Sequence, residues 1–195
     1  MERVARARIF SLLALPPLGA CTIECTIRTW ALFLALETNC ASLAYQEVRM
    51  KQSWGDFALA EPELAAFGED RLKSGPAYLA TVRADGMPRV HPVTPIIGAG
   101  RLFLFMEPTS PKGQDLQRGS GYALHCWVLD NDGGDGDFGL TGYAHLTDDP
   151  AMRELAARHG YQPQARYILF ELTVESAFST VYADADAPIR KRWQS

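Results

Sequence analysis

Six short β-rich segments, separated by turn-forming residues, dominate the chain between residues 77 and 182. They are rich in β-branched, aromatic and leucine side chains, which suit a pleated, half-buried sheet. Strands repeated at short intervals, with few helices between them, are typical of a small antiparallel barrel. The expected fold class is therefore mostly β with flanking helices. The six expected strands span residues 77–83, 89–97, 102–106, 122–129, 138–147 and 167–182.

Proline and glycine mark the expected turns and edges of these segments. Gly86 belongs to an Asp-Gly pair between the first two strands, which is typical of a tight hairpin turn. Pro92 and Pro95 lie within the second strand. Because proline has no N–H to donate, that strand should lie at a sheet edge or contain a bulge. Helices are expected over residues 54–74, where apolar residues recur at helical spacing, and over residues 149–159.

The first 49 residues differ in composition from the rest of the chain, and they hold three of the four cysteines. A short apolar stretch ending near Cys21 is similar to a bacterial lipoprotein signal, although two prolines interrupt it. The alternatives are an extension upstream of a natural start at Met50, an exported lipoprotein lipidated at Cys21, and a helical appendage. We expect residues 1–49 to be such an extension and residues 50–195 to be the functional domain.

Charge and cysteine usage exclude several classes of function. The net charge of −4 gives no basic footprint for nucleic acid or anionic lipid. No apolar run reaches the roughly 18 residues that a membrane-spanning helix requires. The cysteines lack the spacing of a zinc site or a disulfide framework. We therefore expect a cytoplasmic protein with no metal site, no nucleic-acid partner and no membrane span.

The segment after the third expected strand has the pattern of an anion-binding turn. Ser110 can cap a short helix, and Pro111 suits its first position, where a missing N–H costs nothing. Free backbone N–H groups at a helix start attract anions. Lys112 adds a positive charge that the helix dipole disfavours, which a bound phosphate would explain. The alternative is an ordinary capped turn with a solvated lysine.

The second expected strand brings further polar groups to the same end of the sheet. Arg89, His91 and Val93 alternate along it and therefore share one face. In a simple meander the start of this strand lies beside the end of the third strand, so Arg89 would approach the same anion as Lys112. The alternatives are a solvated strand-end arginine and a histidine satisfied within the core.

Four segments of the chain form a recognisable combination: YLATVRADGMPRVHPV (78–93), LFLF (102–105), SPKGQDL (110–116) and FGLTGYAHLTDDP (138–150). Together they resemble the pyridoxamine 5′-phosphate oxidase-like, FMN-binding split-barrel family, over roughly residues 54–195. The resemblance implies a six-stranded antiparallel split β-barrel of the FMN-binding type. It also implies a homodimer with one flavin in each of two clefts between the subunits.

The same resemblance implies which residues touch the cofactor. Ser110 and Lys112 would hold its phosphate, and Phe105 and Met106 would flank it. Independently of the family, the indole of Trp193, beside a small basic patch, could cover a planar ligand; the alternative is a solvated tail. The residues expected to line the flavin along the second strand are Arg89, Val90, His91, Pro92, Val93 and Thr94.

Two departures from the family pattern argue against oxidation of vitamin B6. Thr94 stands where those oxidases carry a lysine, and Pro111 stands where they carry an arginine before the phosphate-binding lysine. Relatives use FMN, a deazaflavin coenzyme or haem in the same cleft, and FMN is expected first. The expected function is a flavin- or deazaflavin-dependent oxidoreductase acting on an unidentified small molecule, with no catalytic acid or base assigned. The alternative is a non-catalytic flavin or haem carrier, or a sensor.

Overall fold

Four helices and nine strands make up the part of the chain that the computed structural model describes, residues 52–128, 134–182 and 187–195. The expected extension, residues 1–49 with Cys21, lies outside the described residues. The helices are α1 (Trp54–Ala60), α2 (Pro62–Lys73), α3 (Pro111–Gln117) and α4 (Pro150–His159). The strands are β1 (Ala77–Val82), β2 (Pro88–Val93), β3 (Ile96–Gly98), β4 (Arg101–Met106), β5 (Gly121–His125), β6 (Asp137–Thr147), β7 (Ile168–Leu172), β8 (Ser176–Val181) and β9 (Ile189–Gln194).

The strands form one antiparallel sheet in the order β2-β1-β5-β6-β7-β4-β3, with β8 paired to β6 and β9 paired to β8. The eleven-residue strand β6 serves two halves of this sheet. Its first part pairs with β5 and β8, and its last four residues pair with β7. The sheet therefore curls and splits at β6, which confirms the split-barrel fold and its mostly antiparallel strands.

All six expected strands are present, and three further strands have identifiable causes. The second expected strand breaks at Thr94 and Pro95, which separates β2 from β3. The long last strand breaks at residues 173–175, so that β7 pairs with β4 and β6 whereas β8 pairs with β6 and β9. The C-terminal basic segment forms β9 along the edge of β8, and its Arg190, Lys191 and Arg192 side chains are exposed to solvent.

The expected helix over residues 54–74 is in fact two helices. Pro62 interrupts it, because a residue before proline avoids the helical region, and Glu61 has φ −135° and ψ 69°. Helix α1 starts with a capping box in which Ser53 and Asp56 bond to each other's backbone N–H. The break lets α1 and α2 pack separately against the barrel.

Two apolar clusters lie on the covered faces of the sheet. The larger one packs α1, α2 and α3 against it, and its fully buried side chains include Phe57, Phe138 and Phe170. The smaller one packs α4 against β3 and β4, around Phe103 and Ala156. Within the described ranges, no helix is long and apolar enough to cross a membrane.

Candidate functional site

Helix α3 begins as the sequence predicts. Ser110 is its N-cap, and the Ser110 Oγ accepts a hydrogen bond from the backbone N–H of Gly113 at 3.2 Å. Pro111 occupies the first helical position. Lys112 follows in the first turn and is half-buried. The cap thereby sets the direction of the helix that carries Lys112.

The face of strand β2 that carries Arg89, His91 and Val93 points toward the protein interior, as predicted. Arg89 and His91 are half-buried and Val93 is buried, whereas Val90 and Pro92 on the other face are exposed. Among the described strands β2 pairs only with β1, so the predicted edge position is confirmed. Thr94 follows the strand and is also exposed.

The route by which α3 reaches β2 differs from the predicted meander. Strand β4 pairs with β3 and β7, not with β2, so strand pairing does not bring Arg89 to the end of β4. Instead, α3 packs against β1 and β6. Its buried Asp115 accepts a hydrogen bond from Thr81 Oγ1 on β1 at 2.8 Å and lies 2.9 Å from Arg89 Nε on β2. The meander argument was wrong, although the helix meets the strand by another path.

Asp115 is a member of this candidate site that the sequence analysis did not single out. Its side chain is 2% exposed, and its second carboxylate oxygen is 2.6 Å from an Arg118 terminal nitrogen. Burial alone would raise the pKa of Asp115, but the hydrogen bonds from Arg118 and Thr81 and the two arginine charges hold it below its usual value. The available signal was the i, i+3 spacing from Lys112, which puts both side chains on neighbouring parts of one helix face.

Arg89 meets this carboxylate as an ion pair rather than through a directed hydrogen bond. The Arg89 Nε lies 2.9 Å from Asp115 Oδ2, yet its N–H does not align with that oxygen. Within residues 52–128, 134–182 and 187–195, the two terminal guanidinium nitrogens have no protein hydrogen-bond partner. Arg89 is thus held from one side and keeps donors for another group.

Three basic side chains, Arg89, His91 and Lys112, gather at this point, and we call them the basic cluster. Burial lowers the pKa of Lys112. The pKa of His91 is lowered by burial first and then by the charges of Lys112 and Arg89, with Asp115 opposing them. In the described part of the chain no carboxylate pairs with Lys112. An anion such as phosphate would satisfy this arrangement.

The other predicted contact residues lie apart from the basic cluster. Met106 is buried in the larger core. Phe105 lies in the smaller core, where Arg153 and Tyr161 pack against its ring at 5.2 and 5.8 Å. Trp193 on β9 packs against Phe57, with ring centroids 4.9 Å apart. The cofactor roles predicted for these residues stay predictions.

Two open cavities lie away from the basic cluster. A cavity of about 510 Å³ lies between the start of α1 and the β3–β4 turn, and Arg101, His145 and Glu171 are among its lining residues. A groove of about 360 Å³ lies on the outer face of β1, β5 and β6. The basic cluster lines neither of them. Among the described residues, no group of three His, Cys, Asp or Glu side chains could hold a metal ion.

Acidification is expected to destabilise the protein partly through His91. The folded pKa of His91 is below the 6.5 of the unfolded chain, so the unfolded state binds more protons once the pH falls below about 6.5. Folding stability is therefore lost as the pH falls from about 6.5 toward the lower pKa of folded His91. Chemical denaturation at about pH 7.5 and about pH 5.5 should show a smaller loss for His91→Gln than for the unsubstituted protein. Equal losses in the two proteins would contradict this assignment.

Comparison with known proteins shows the fold. No family model matches the sequence, and no curated protein does. A conserved hypothetical protein of Mycobacterium tuberculosis superposes with a TM-score of 0.50 at 15% identity, over 69% of this chain and 84% of the other. A heme binding protein from Mycobacterium smegmatis superposes with a TM-score of 0.49 at 17% sequence identity. The match covers 65% of this chain, and this chain spans only 57% of the length of that protein. A putative pyridoxamine 5′-phosphate oxidase from Lactobacillus delbrueckii superposes with a TM-score of 0.46 at 22% sequence identity. The match covers 56% of this chain and 90% of the other.

Proposed function

We propose that this chain is a homodimeric flavin-dependent oxidoreductase that holds the phosphate of FMN, or of a deazaflavin, at the basic cluster. The observation that supports it most is the half-buried Lys112, which carries a charge that no described carboxylate neutralises. A desolvated cation is costly unless an anion accompanies it. The split-barrel fold and the sequence resemblance then favour a flavin as the source of that anion.

The residues present fit a phosphate group. Lys112 offers a full charge, and Arg89 offers two terminal nitrogens without a protein partner in the described ranges. His91 adds a third side chain, on the same strand face as Arg89. A bound flavin would supply the redox chemistry, and the protein's part would be to bind and orient it. In this proposal the substrate is an unidentified small molecule, and the protein works in the cytoplasm, where nicotinamide donors are found.

The outer face of the β1–β2 hairpin is apolar and exposed, and this favours a second copy of the chain as its partner. Met87 in the turn and Val90 on β2 are each 59% exposed, and Val82 on β1 is 50% exposed. In the sheet register Ala80 lies between Val90 and Ala123, which continues this face onto β5. No outward side chain of the hairpin strands is charged: they are Tyr78, Ala80, Val82, Pro88, Val90 and Pro92. Such a patch favours burial against another copy.

Val90→Asp is expected to weaken the dimer at least about tenfold, because it would bury an unpaired carboxylate in the interface. Light scattering coupled to size-exclusion chromatography, across a dilution series, measures this shift. Leu59→Asp is the matched control, since Leu59 is an exposed apolar side chain on α1 and 85% exposed. A dimer of unchanged affinity in Val90→Asp would place the interface elsewhere.

The proposed function is tested by the absorbance spectrum of the purified protein, with mass spectrometry of any small molecule released on denaturation. A flavin or deazaflavin band, followed by reduction with a nicotinamide donor and reoxidation by an acceptor, supports an oxidoreductase. A bound flavin that exchanges but never turns over supports a carrier or sensor. A Soret band indicates haem, and a colourless protein that binds none of these added cofactors overturns the proposal.

A further inference from the structure

The carboxylate of Asp115 lies directly beneath the basic cluster and uses both of its oxygens. Oδ2 accepts a hydrogen bond from Thr81 Oγ1 at 2.8 Å and lies 2.9 Å from Arg89 Nε. Oδ1 lies 2.6 Å from Arg118. Thr81 and Asp115 are each only 2% exposed, so this contact is sealed from solvent. A buried carboxylate with such partners has one defined position.

This carboxylate connects the two elements that carry the basic cluster. Asp115 is three residues after Lys112 on α3, whereas Thr81 and Arg89 are directly paired on β1 and β2. Within the described part of the chain, strand β2 has a neighbouring strand on one side only. The Arg89 side chain could therefore move outward if no residue of α3 held it in place. Asp115 sets the position of Arg89 relative to Lys112.

We infer that Asp115 is a positioning residue of the anion site, acting through Arg89. Its negative charge holds the guanidinium by an ion pair on the Nε side and leaves the two terminal nitrogens for the ligand. This inference rests on the proposed function, because it takes the basic cluster to be the site that receives a phosphate. Asp115 itself does not touch the ligand in this scheme.

Positioning and simple electrostatics predict opposite results for Asp115→Asn. Removing a negative charge near an anion site should by itself raise the affinity for the anion. If Asp115 instead positions Arg89, the variant loosens the guanidinium and affinity falls. Asparagine keeps the shape of the side chain and an oxygen for Thr81, but its amide N–H2 then faces Arg118, whose hydrogen bond to Oδ1 is lost. The sign of the effect therefore separates the two roles.

The test measures binding of FMN, and separately of inorganic phosphate, to the full chain by isothermal titration. We expect Asp115→Asn to weaken both about five- to tenfold. In an Arg89→Ala background the same substitution should cause no further fall, because Arg89 transmits the effect. Asp149→Asn is the matched control, since Asp149 caps α4 away from the basic cluster and should leave affinity unchanged.

Thr81→Val provides a second variant in case Asp115→Asn does not fold. It keeps the carboxylate charge and nearly the same volume but removes the hydrogen bond that orients Oδ2. It should weaken phosphate binding in the same direction, by about two- to threefold. Thermal unfolding of every variant, followed with and without phosphate, separates loss of the anion site from loss of the fold.

The outcomes distinguish this inference from the proposed function. If the unsubstituted protein binds phosphate but not FMN, and Asp115→Asn weakens that binding, the inference stands and the flavin assignment fails. If FMN binds and Asp115→Asn leaves affinity unchanged or higher, the inference is overturned and the proposed function stands. If neither FMN nor phosphate binds the unsubstituted protein, both are overturned.

Discussion

Lys112→Ala is expected to weaken FMN binding about ten- to a hundredfold. A hydrogen bond between a charged donor and a phosphate contributes about 1.5–3 kcal/mol, which corresponds to that range of affinity. The effect should be near the upper end, because Lys112 is half-buried and screened less than an exposed lysine. Fluorescence titration of the flavin measures the dissociation constant. The same variant should fold at least as well as the unsubstituted protein, since it no longer desolvates a charge.

Two controls show whether the loss comes from the phosphate contact. Riboflavin lacks the phosphate, so its affinity should be the same for the unsubstituted protein and for Lys112→Ala. Lys73→Ala removes an exposed lysine that pairs with Glu69 on α2, and it should leave FMN affinity unchanged. An unchanged dissociation constant for FMN in Lys112→Ala would remove this lysine from the site.

Gly142→Ala should cause a very large loss of stability, at least about 3 kcal/mol. Gly142 lies where β6 passes from one half of the sheet to the other. A Cβ added there would lie 1.9 Å from the backbone oxygen of Thr173 and 2.8 Å from its carbonyl carbon. Backbone atoms cannot swing away as the end of a side chain can. The Thr173 oxygen also accepts a hydrogen bond from the buried Tyr122 hydroxyl at 2.7 Å, which would be displaced with it.

Gly121→Ala is the matched control for this prediction. Gly121 lies on the neighbouring strand β5, and a Cβ there would meet the Tyr143 ring at 3.5 Å, an ordinary contact. Its free energy of unfolding should change by less than about 1 kcal/mol. Urea denaturation measures both variants. A Gly142→Ala protein as stable as Gly121→Ala would show that β6 does not pass this close to Thr173.

Much of the local structure could be predicted from the sequence, because its causes are local. The β-rich run over residues 77–83 marks β1, and Gly86 has the left-handed conformation, with φ 82°, that the hairpin turn requires. Ser110 followed by Pro111 marks the start of α3. Pro62 carried an equally local signal for the break between α1 and α2, and the sequence analysis overlooked it.

The candidate site was predicted in its residues but not in its assembly. Arg89, His91 and Lys112 were identified from their charge and from the shared face of β2. The path between them was assigned to pairing of β2 with the strand before α3, and that pairing does not exist. Asp115 was missed because a carboxylate in the middle of a polar helix is usually solvated, and its burial depends on contacts with Thr81 and Arg89 far along the chain.

The sequence by itself determined where strands, turns and helix caps form and that Arg89 and His91 share one face of β2. These features follow from side-chain period, from the backbone restrictions of proline and glycine, and from capping within a few residues. Only the tertiary structure decided that β6 divides the sheet, that β9 pairs with β8, and that Asp115 lies buried between two strands and two arginines. The physical reason is that strand partners and buried charges are selected by the free energy of the whole packed core, and distant residues contribute to it.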